Sequence, residues 1–319
     1  MKSLLRTLII IFGLLSLGTF FGSFFLAQKV YTLFPGKDGP PLNYHFSLYL
    51  PDNRNAFFTG IIQGARRAAE ELDAAVSIHS IDPEKNELEM AAYTGVDGVI
   101  VCPYLEDGTA RLYLNRLDAM QIPTVLINHN VPNDQPWPFT GANNFEVGRT
   151  IGMLAGKSSD GPIRLAIVYS DKAPGFYGER ELIEMGIAAA MEGRLASPVI
   201  GLRTKLNPLD AEALLYRLFR SSTAANINTI VFTDSNDTIA AAQALIDMNM
   251  VGRIKVIGFG SGEGIEDNIR KGIIACSITI NPERIGYEAL RSLEALRRTG
   301  YTSASINTGI EIIDGDSLP

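Results

Sequence analysis

Cysteine, histidine and tryptophan are scarce in this sequence of 319 residues, which holds two, three and one of them. Cys102 and Cys276 stand far apart, with no CxxC or Cys/His spacing, so neither a disulfide framework nor a thiolate metal site is indicated. Both read as small buried hydrophobes. His45, His79 and His129 share no metal-ligand spacing. Basic clusters are also missing. No Lys/Arg group exceeds a pair, and the formal charge is -7, which argues against a general nucleic-acid role. Phosphate-binding loops fail too. Gly258-Phe-Gly-Ser-Gly-Glu-Gly264 follows a predicted strand, but Glu263 or Ile265 stands where GxGxxG needs its third glycine, and no Walker lysine follows. Ser261 lacks the flanking glycines of GxSxG. Acid pairs such as Glu70-Glu71 fall on a solvated helix face. No cofactor is expected, and no short repeat or low-complexity segment interrupts the chain.

What is present is alternation. From Tyr44 onward, short apolar runs alternate with segments of 3.6-residue period, a pattern of parallel sheets covered by helices. The length suits two domains. Predicted strands are 44–50, 75–80, 98–101 and 124–128, then 163–169, 198–203, 228–232, 255–259, 275–280 and 309–313. Predicted helices are 56–72, 84–93 and 109–120, then 145–157, 177–191, 208–220, 237–249, 264–271 and 282–298. Two α/β lobes in one chain suggest an interlobe cleft, a common place for a ligand.

The stretch from Tyr44 to Leu72 organises the rest. It reads as a strand, a polar turn Asp52-Asn-Arg-Asn55, and a helix with Phe57, Ile61, Ile62, Ala65, Ala68, Ala69 and Leu72 on its apolar face. Phe57 and Phe58 are adjacent. Helical neighbours point about 100° apart, so one ring should look across the C-terminal edge of the sheet. The N-terminus reads differently. Lys2 and Arg6 precede an uncharged run from Thr7 to Ala27, either an uncleaved signal-anchor or a cleaved signal. Both readings place later residues outside the cytoplasm. Residues 29–41 read as a linker.

The motifs after Tyr44 are similar to a known family. They are Leu50-Pro-Asp-Asn-Arg-Asn-Ala-Phe-Phe58, Gln63-Gly-Ala65, Val96-Asp-Gly-Val-Ile-Val101, Ile122-Pro-Thr-Val-Leu-Ile127 and Asn144-Phe-Glu-Val-Gly148. Further on come Asn236-Asp-Thr-Ile-Ala240, Val256-Ile-Gly-Phe259, Asn281-Pro-Glu-Arg-Ile-Gly286 and Asn307-Thr-Gly-Ile-Glu-Ile312. In this order the chain resembles periplasmic sugar-binding proteins of the ribose-binding type, which share their fold with LacI-like sensing domains. The resemblance implies two doubly wound parallel-sheet lobes, residues 42–142 with 282–304 and residues 143–281 with 305–319. Three hinge crossings would lie near Gly141–Asn143, Ile280–Pro282 and Ser303–Asn307.

It also implies a site. Asn55, Phe57 and Phe58 would form one wall, and Asn128 and His129 fall where the family carries an Asp-Arg pair. Asn236, with Asp234 beside it, falls on the family's Asn-Asp pair, and Asp237 is the alternative helix cap. Gly260, Ile280 and Glu181 occupy positions where the family carries an Asp, a Gln and an Arg. Tyr104, Trp137, Asn143, Tyr177 and Glu179 are the groups available to replace what is lost. Trp137 reads either as a cleft-rim residue or as plain packing. The implied function is capture of a small neutral carbohydrate, or a sugar-bearing compound such as a nucleoside, for an ABC importer in the cell envelope. The alternatives are an anchored ligand sensor signalling to a sensor kinase or chemoreceptor, and a hydrolase on the same scaffold.

Overall fold

The computed structural model describes residues 12–13, 15–26, 29, 43–51, 56–82, 87–157, 161–171, 179–205, 207, 209–220 and 227–318. The chain divides into two units, Met1–Leu42 and Asn43–Pro319. In the first, residues 15–26 are helical and carry exposed apolar side chains, including Phe20, Phe21, Phe24 and Phe25. Among the described residues no helix is long and apolar enough to cross a membrane. Residues 7–11, 14 and 27 of the predicted segment, and most of the linker, lie outside the described residues.

The second unit holds two six-stranded sheets. The first is built from β1 (Tyr44–Leu50), β2 (Ala74–Ser80), β3 (Gly98–Val101), β4 (Thr124–Ile127), β5 (Phe139–Gly141) and a late strand, β11 (Ser305–Asn307). Its order is β11-β5-β4-β3-β1-β2 and every pairing is parallel. The second uses β6 (Leu165–Ser170), β7 (Ile200–Thr204), β8 (Thr229–Phe232), β9 (Lys255–Phe259), β10 (Cys276–Thr279) and β12 (Glu311–Asp314), in the order β12-β10-β9-β8-β6-β7. Its β12 runs antiparallel to β10, a departure from the all-parallel expectation. Strands β3, β4 and β8 are buried along their whole length, which is why their sequences are continuous apolar runs rather than alternating ones.

Helices cover the sheets. They are α1 (Ala56–Glu71), α2 (Glu87–Met90), α3 (Asp107–Ala119), α4 (Asn144–Gly156), α5 (Arg180–Ala190), α6 (Asp210–Arg220), α7 (Ser235–Asp247), α8 (Glu263–Arg270) and α9 (Pro282–Thr299). Two pairs pack backbone against backbone. A Cβ on Gly64 of α1 would stand 1.8 Å from the Glu283 carbonyl oxygen of α9, and one on Gly286 would stand 1.9 Å from that of Ile61. The pair α4 and α5 repeats the device, with Gly148 2.0 Å from the Ile183 carbonyl oxygen and Gly186 2.2 Å from that of Phe145. Only glycine permits such an approach.

The chain passes between the sheets three times, after β5, after β10 and after β11. The first two passages fall where the hinge was expected. The third comes later, because Ser305–Asn307 pair with Phe139–Gly141 in the first sheet before the chain leaves it. Residues 305–307, assigned above to the second lobe, therefore stand in the first. Both β5 and β11 escaped prediction. Each has only three residues, and β5 is preceded by Pro136-Trp-Pro138, which masks a strand signature.

Candidate functional site

The C-terminal ends of β3, β4, β6, β8 and β9 carry the polar loops where a ligand would sit in an open α/β sheet. Tyr104 follows β3, and its hydroxyl donates to the Asp171 carbonyl oxygen after β6 at 3.3 Å. Burial raises the pKa of the Tyr104 phenol, and the charge of Asp171 adds to the rise, so it remains a donor at neutral pH. Asp171 Oδ1 in turn holds Arg203 Nε of β7 at 2.5 Å. A second bridge lies beside it. The backbone N–H of Asn130, past the end of β4, donates to Glu179 Oε1 at 3.1 Å. Glu179 Oε2 accepts from Asn144 Nδ2 at 2.8 Å. Tyr104 and Asn130 belong to the first lobe and Asp171 and Glu179 to the second, so both bonds cross between the lobes.

The loop after β4 is shaped by Asn128. Its φ is 62°, in the left-handed region that asparagine tolerates better than most residues. The turn that follows has the His129 N–H donating to the Ile127 carbonyl oxygen at 2.7 Å. His129 is buried, and its Nε2 lies 3.1 Å from Asp107 Oδ1 at the start of α3. The Asn128 side chain is in hydrogen-bond contact with Cys102, whose thiol burial pushes up to about 12. Such a thiol stays protonated and is a poor nucleophile.

Other expected residues fall elsewhere. Phe58 is 4% exposed and belongs to the core under the first sheet, whereas Phe57 is half-buried at its edge. The rings meet edge to face, 5.5 Å apart at 78°. Of the two rings Phe57 is the more accessible, and Phe58 packs behind it. Trp137 is not at the cleft. It precedes β5, donates from Nε1 to Asp118 Oδ2 at 2.7 Å, and lines a groove of about 420 Å³ with Gln121, Pro123 and Gly300. Those residues stand at the opposite edge of the sheet, so a cleft-rim role for Trp137 is corrected to packing.

Ile280 is buried in the core at a crossing, which removes it from the lining. Gly260 has φ 93°, and a Cβ there would lie 2.8 Å from Ser235 Cβ, so the turn itself demands glycine. Asp234, not Asp237, caps α7, accepting from the Asn236 and Asp237 N–H groups at 3.0 Å. The Asn236 and Glu181 side chains are exposed at the first turns of α7 and α5. Asn143 is occupied as the cap of α4. Asn55 and Tyr177 lie outside the described residues.

Four cleft residues had gone unnamed: Asp107, Asn130, Asp171 and Arg203. Asp171 and Asn130 each follow a predicted strand by one or two positions, a signal that counting from strand ends would have found. Asp107 and Arg203 are linked to the site only through their partners. Among the described residues no group of three or more His, Cys, Asp or Glu side chains could hold a metal ion. The arrangement offers hydrogen-bonding groups.

A family model described as a periplasmic binding protein domain matches residues 46–300. The chain belongs to that family. Solved structures with a similar fold include other binding proteins. A glucose-galactose binding protein from Geobacillus stearothermophilus is 20% identical, with a TM-score of 0.75 over 86% of this chain and 99% of its own. The Caulobacter myo-inositol binding protein, bound to myo-inositol, is 18% identical, with a TM-score of 0.75 over 88% and 96%. An ABC transporter solute binding protein from Burkholderia graminis, in complex with D-arabinose, is 17% identical, with a TM-score of 0.74 over 87% and 97%. At these identities the likeness shows a shared periplasmic binding protein fold. No curated protein sequence matches this chain.

Proposed function

We propose that this periplasmic binding protein captures a small carbohydrate between its lobes and releases it unchanged. The observation that carries the reading is the meeting of the two sheets' C-terminal edges, joined by Tyr104 to Asp171 and by Asn130 to Glu179, beside the half-buried Phe57. An aromatic face suits the C–H face of a sugar ring, and the polar loops suit its hydroxyls. The names of the similar solved structures support the same ligand class. Closure around a ligand changes the outer surface, and a membrane partner reads that change. An ABC importer is the partner we favour, with the protein in the periplasm or cell envelope.

A second reading is favoured by the exposed apolar helix 15–26. Held at a membrane by that segment, the protein would report its ligand to a signalling partner rather than shuttle it. Mass spectrometry of small molecules that copurify with the protein tests the ligand class, and a thermal-shift panel of sugars follows from it. Recovery of a sugar that raises the unfolding temperature is the expected result. Turnover of that sugar on incubation would replace the binding reading with a hydrolytic one.

A further inference from the structure

One corner of the cleft is built almost wholly from hydrogen-bond acceptors. Asp107, His129, Asn130 and Glu179 form a connected series there, through the Asp107–His129 contact and the Asn130–Glu179 bond. In the neutral imidazole the nitrogen that faces a carboxylate carries the proton, so the Nδ1 of His129 keeps its lone pair. That Nδ1 is buried without a partner, and so is Oδ1 of Asn130, the next residue. His129 as a whole is only 9% exposed. Buried acceptors are nearly always met in folded proteins, so two orphans side by side mark a place where something else supplies the hydrogens.

Charge narrows what that group is. Two carboxylates stand against the residues that carry the orphans, Asp107 on the far ring nitrogen of His129 and Glu179 on the N–H of Asn130. The guanidinium of Arg203 is taken up by Asp171, and Arg180 stands exposed at the start of α5. A sugar hydroxyl brings one donor and two acceptor lone pairs into this corner. An ammonium brings three donors, no acceptor and a positive charge.

We infer that the cleft selects a carbohydrate bearing a protonated amine, whose ammonium donates to His129 Nδ1 and Asn130 Oδ1 in the negative field of the Asp107 and Glu179 carboxylates. The inference rests on the carbohydrate reading given above. Asp107 acts as a positioning residue that fixes the tautomer of His129.

The test titrates the full-length chain with matched pairs, D-glucosamine against D-glucose and D-galactosamine against D-galactose, by calorimetry and thermal shift. A charge-assisted bond in place of a neutral one should make the amino member bind about tenfold more tightly. Asn130→Leu should abolish that preference. Asp107 is partly exposed, so Asp107→Asn is expected to fold, and nitrogen NMR of His129 should show Nδ1 unprotonated in the parent chain and mixed tautomers in this variant. Equal or tighter binding of the parent sugars would overturn the amine and leave the carbohydrate reading standing. Failure of every pair to bind would overturn both. A protonated Nδ1 in the free parent chain at neutral pH would also overturn the inference.

Discussion

Replacing Glu179 by alanine should let the lobes part. Its carboxylate makes two bonds, to the Asn130 N–H at 3.1 Å and to Asn144 Nδ2 at 2.8 Å, and only the first crosses between the lobes. A hydrogen bond to a charged group contributes about 1.5–3 kcal/mol. Losing it lowers the closed population relative to the open one by roughly 10- to 100-fold. The cross-lobe bond from Tyr104 to the Asp171 carbonyl is neutral and 3.3 Å long, so it replaces little of the loss. Where closure limits binding, apparent affinity falls with the closed fraction. The assay pairs small-angle scattering of the ligand-free chain with calorimetric titration of the copurifying ligand. The alanine variant should scatter as a larger particle and bind more weakly, and Glu179→Gln should lie between it and the parent. Asn144 is 6% exposed and loses its carboxylate partner, so a modest drop in unfolding temperature is expected as well. An alanine variant with the parent's scattering profile and affinity would refute the role given to this carboxylate.

The two phenylalanines should separate cleanly. Phe58→Ala should cost about 3–5 kcal/mol of stability as a core truncation, and Phe57→Ala should instead weaken ligand binding about tenfold with little loss of stability. Gly64→Ala drives a methyl into the Glu283 carbonyl. It should lower the melting temperature by roughly 5–10 °C, whereas Gly161→Ala, whose added Cβ would meet nothing within 4 Å, should be nearly silent. Burial raises the thiol of Cys102 from 9.0 to about 12 and that of Cys276 to about 11. The folded state then holds more protons than the unfolded state above the unfolded value, so stability is full below about pH 9 and falls as pH rises toward the folded values. Urea melts between pH 8 and 11 check this, and replacing both cysteines by serine should flatten the slope.

Much of the architecture was legible because burial imposes pattern. The four-residue strands β3, β4 and β8 are apolar but for the leading Thr124 and Thr229, and α1 and α9 carry a 3.6-residue stripe, so their positions follow from the sequence pattern. The strands β5 and β11 were not legible. Three residues cannot show a period, and the β5–β11 pairing joins segments more than a hundred residues apart in sequence. At the site, Asn128 and His129 were reached only through the family resemblance, and Tyr104 only as a group able to replace one that the family has and this chain lacks. The partition between Phe57 and Phe58 was not visible, since both rings satisfy the same rule and only the angle of α1 against the sheet decides which is buried. Trp137 misled because a proline-braced loop resembles a cleft rim wherever it lies. Glu179 and Asn130 meet across the lobes, and no local pattern announces a contact of that range.

The glycine-backed pairing of α1 with α9 has a consequence for how the protein is made. Tyr287 of α9 donates to Glu71 of α1 across 216 residues of chain. At about 5–20 residues per second of synthesis, α9 emerges roughly 10–40 s after α1. Until then the first sheet lacks one of its covering helices and its β11 edge. The N-terminal lobe, although the first to be translated, is thus completed only near the end of the chain, shortly before β12 completes the second sheet. A chain delivered across a membrane in an unfolded state would gain from such a delay. A circular permutant starting near Pro282 would bring the two helices out together, and its first lobe should fold while the rest is still being made.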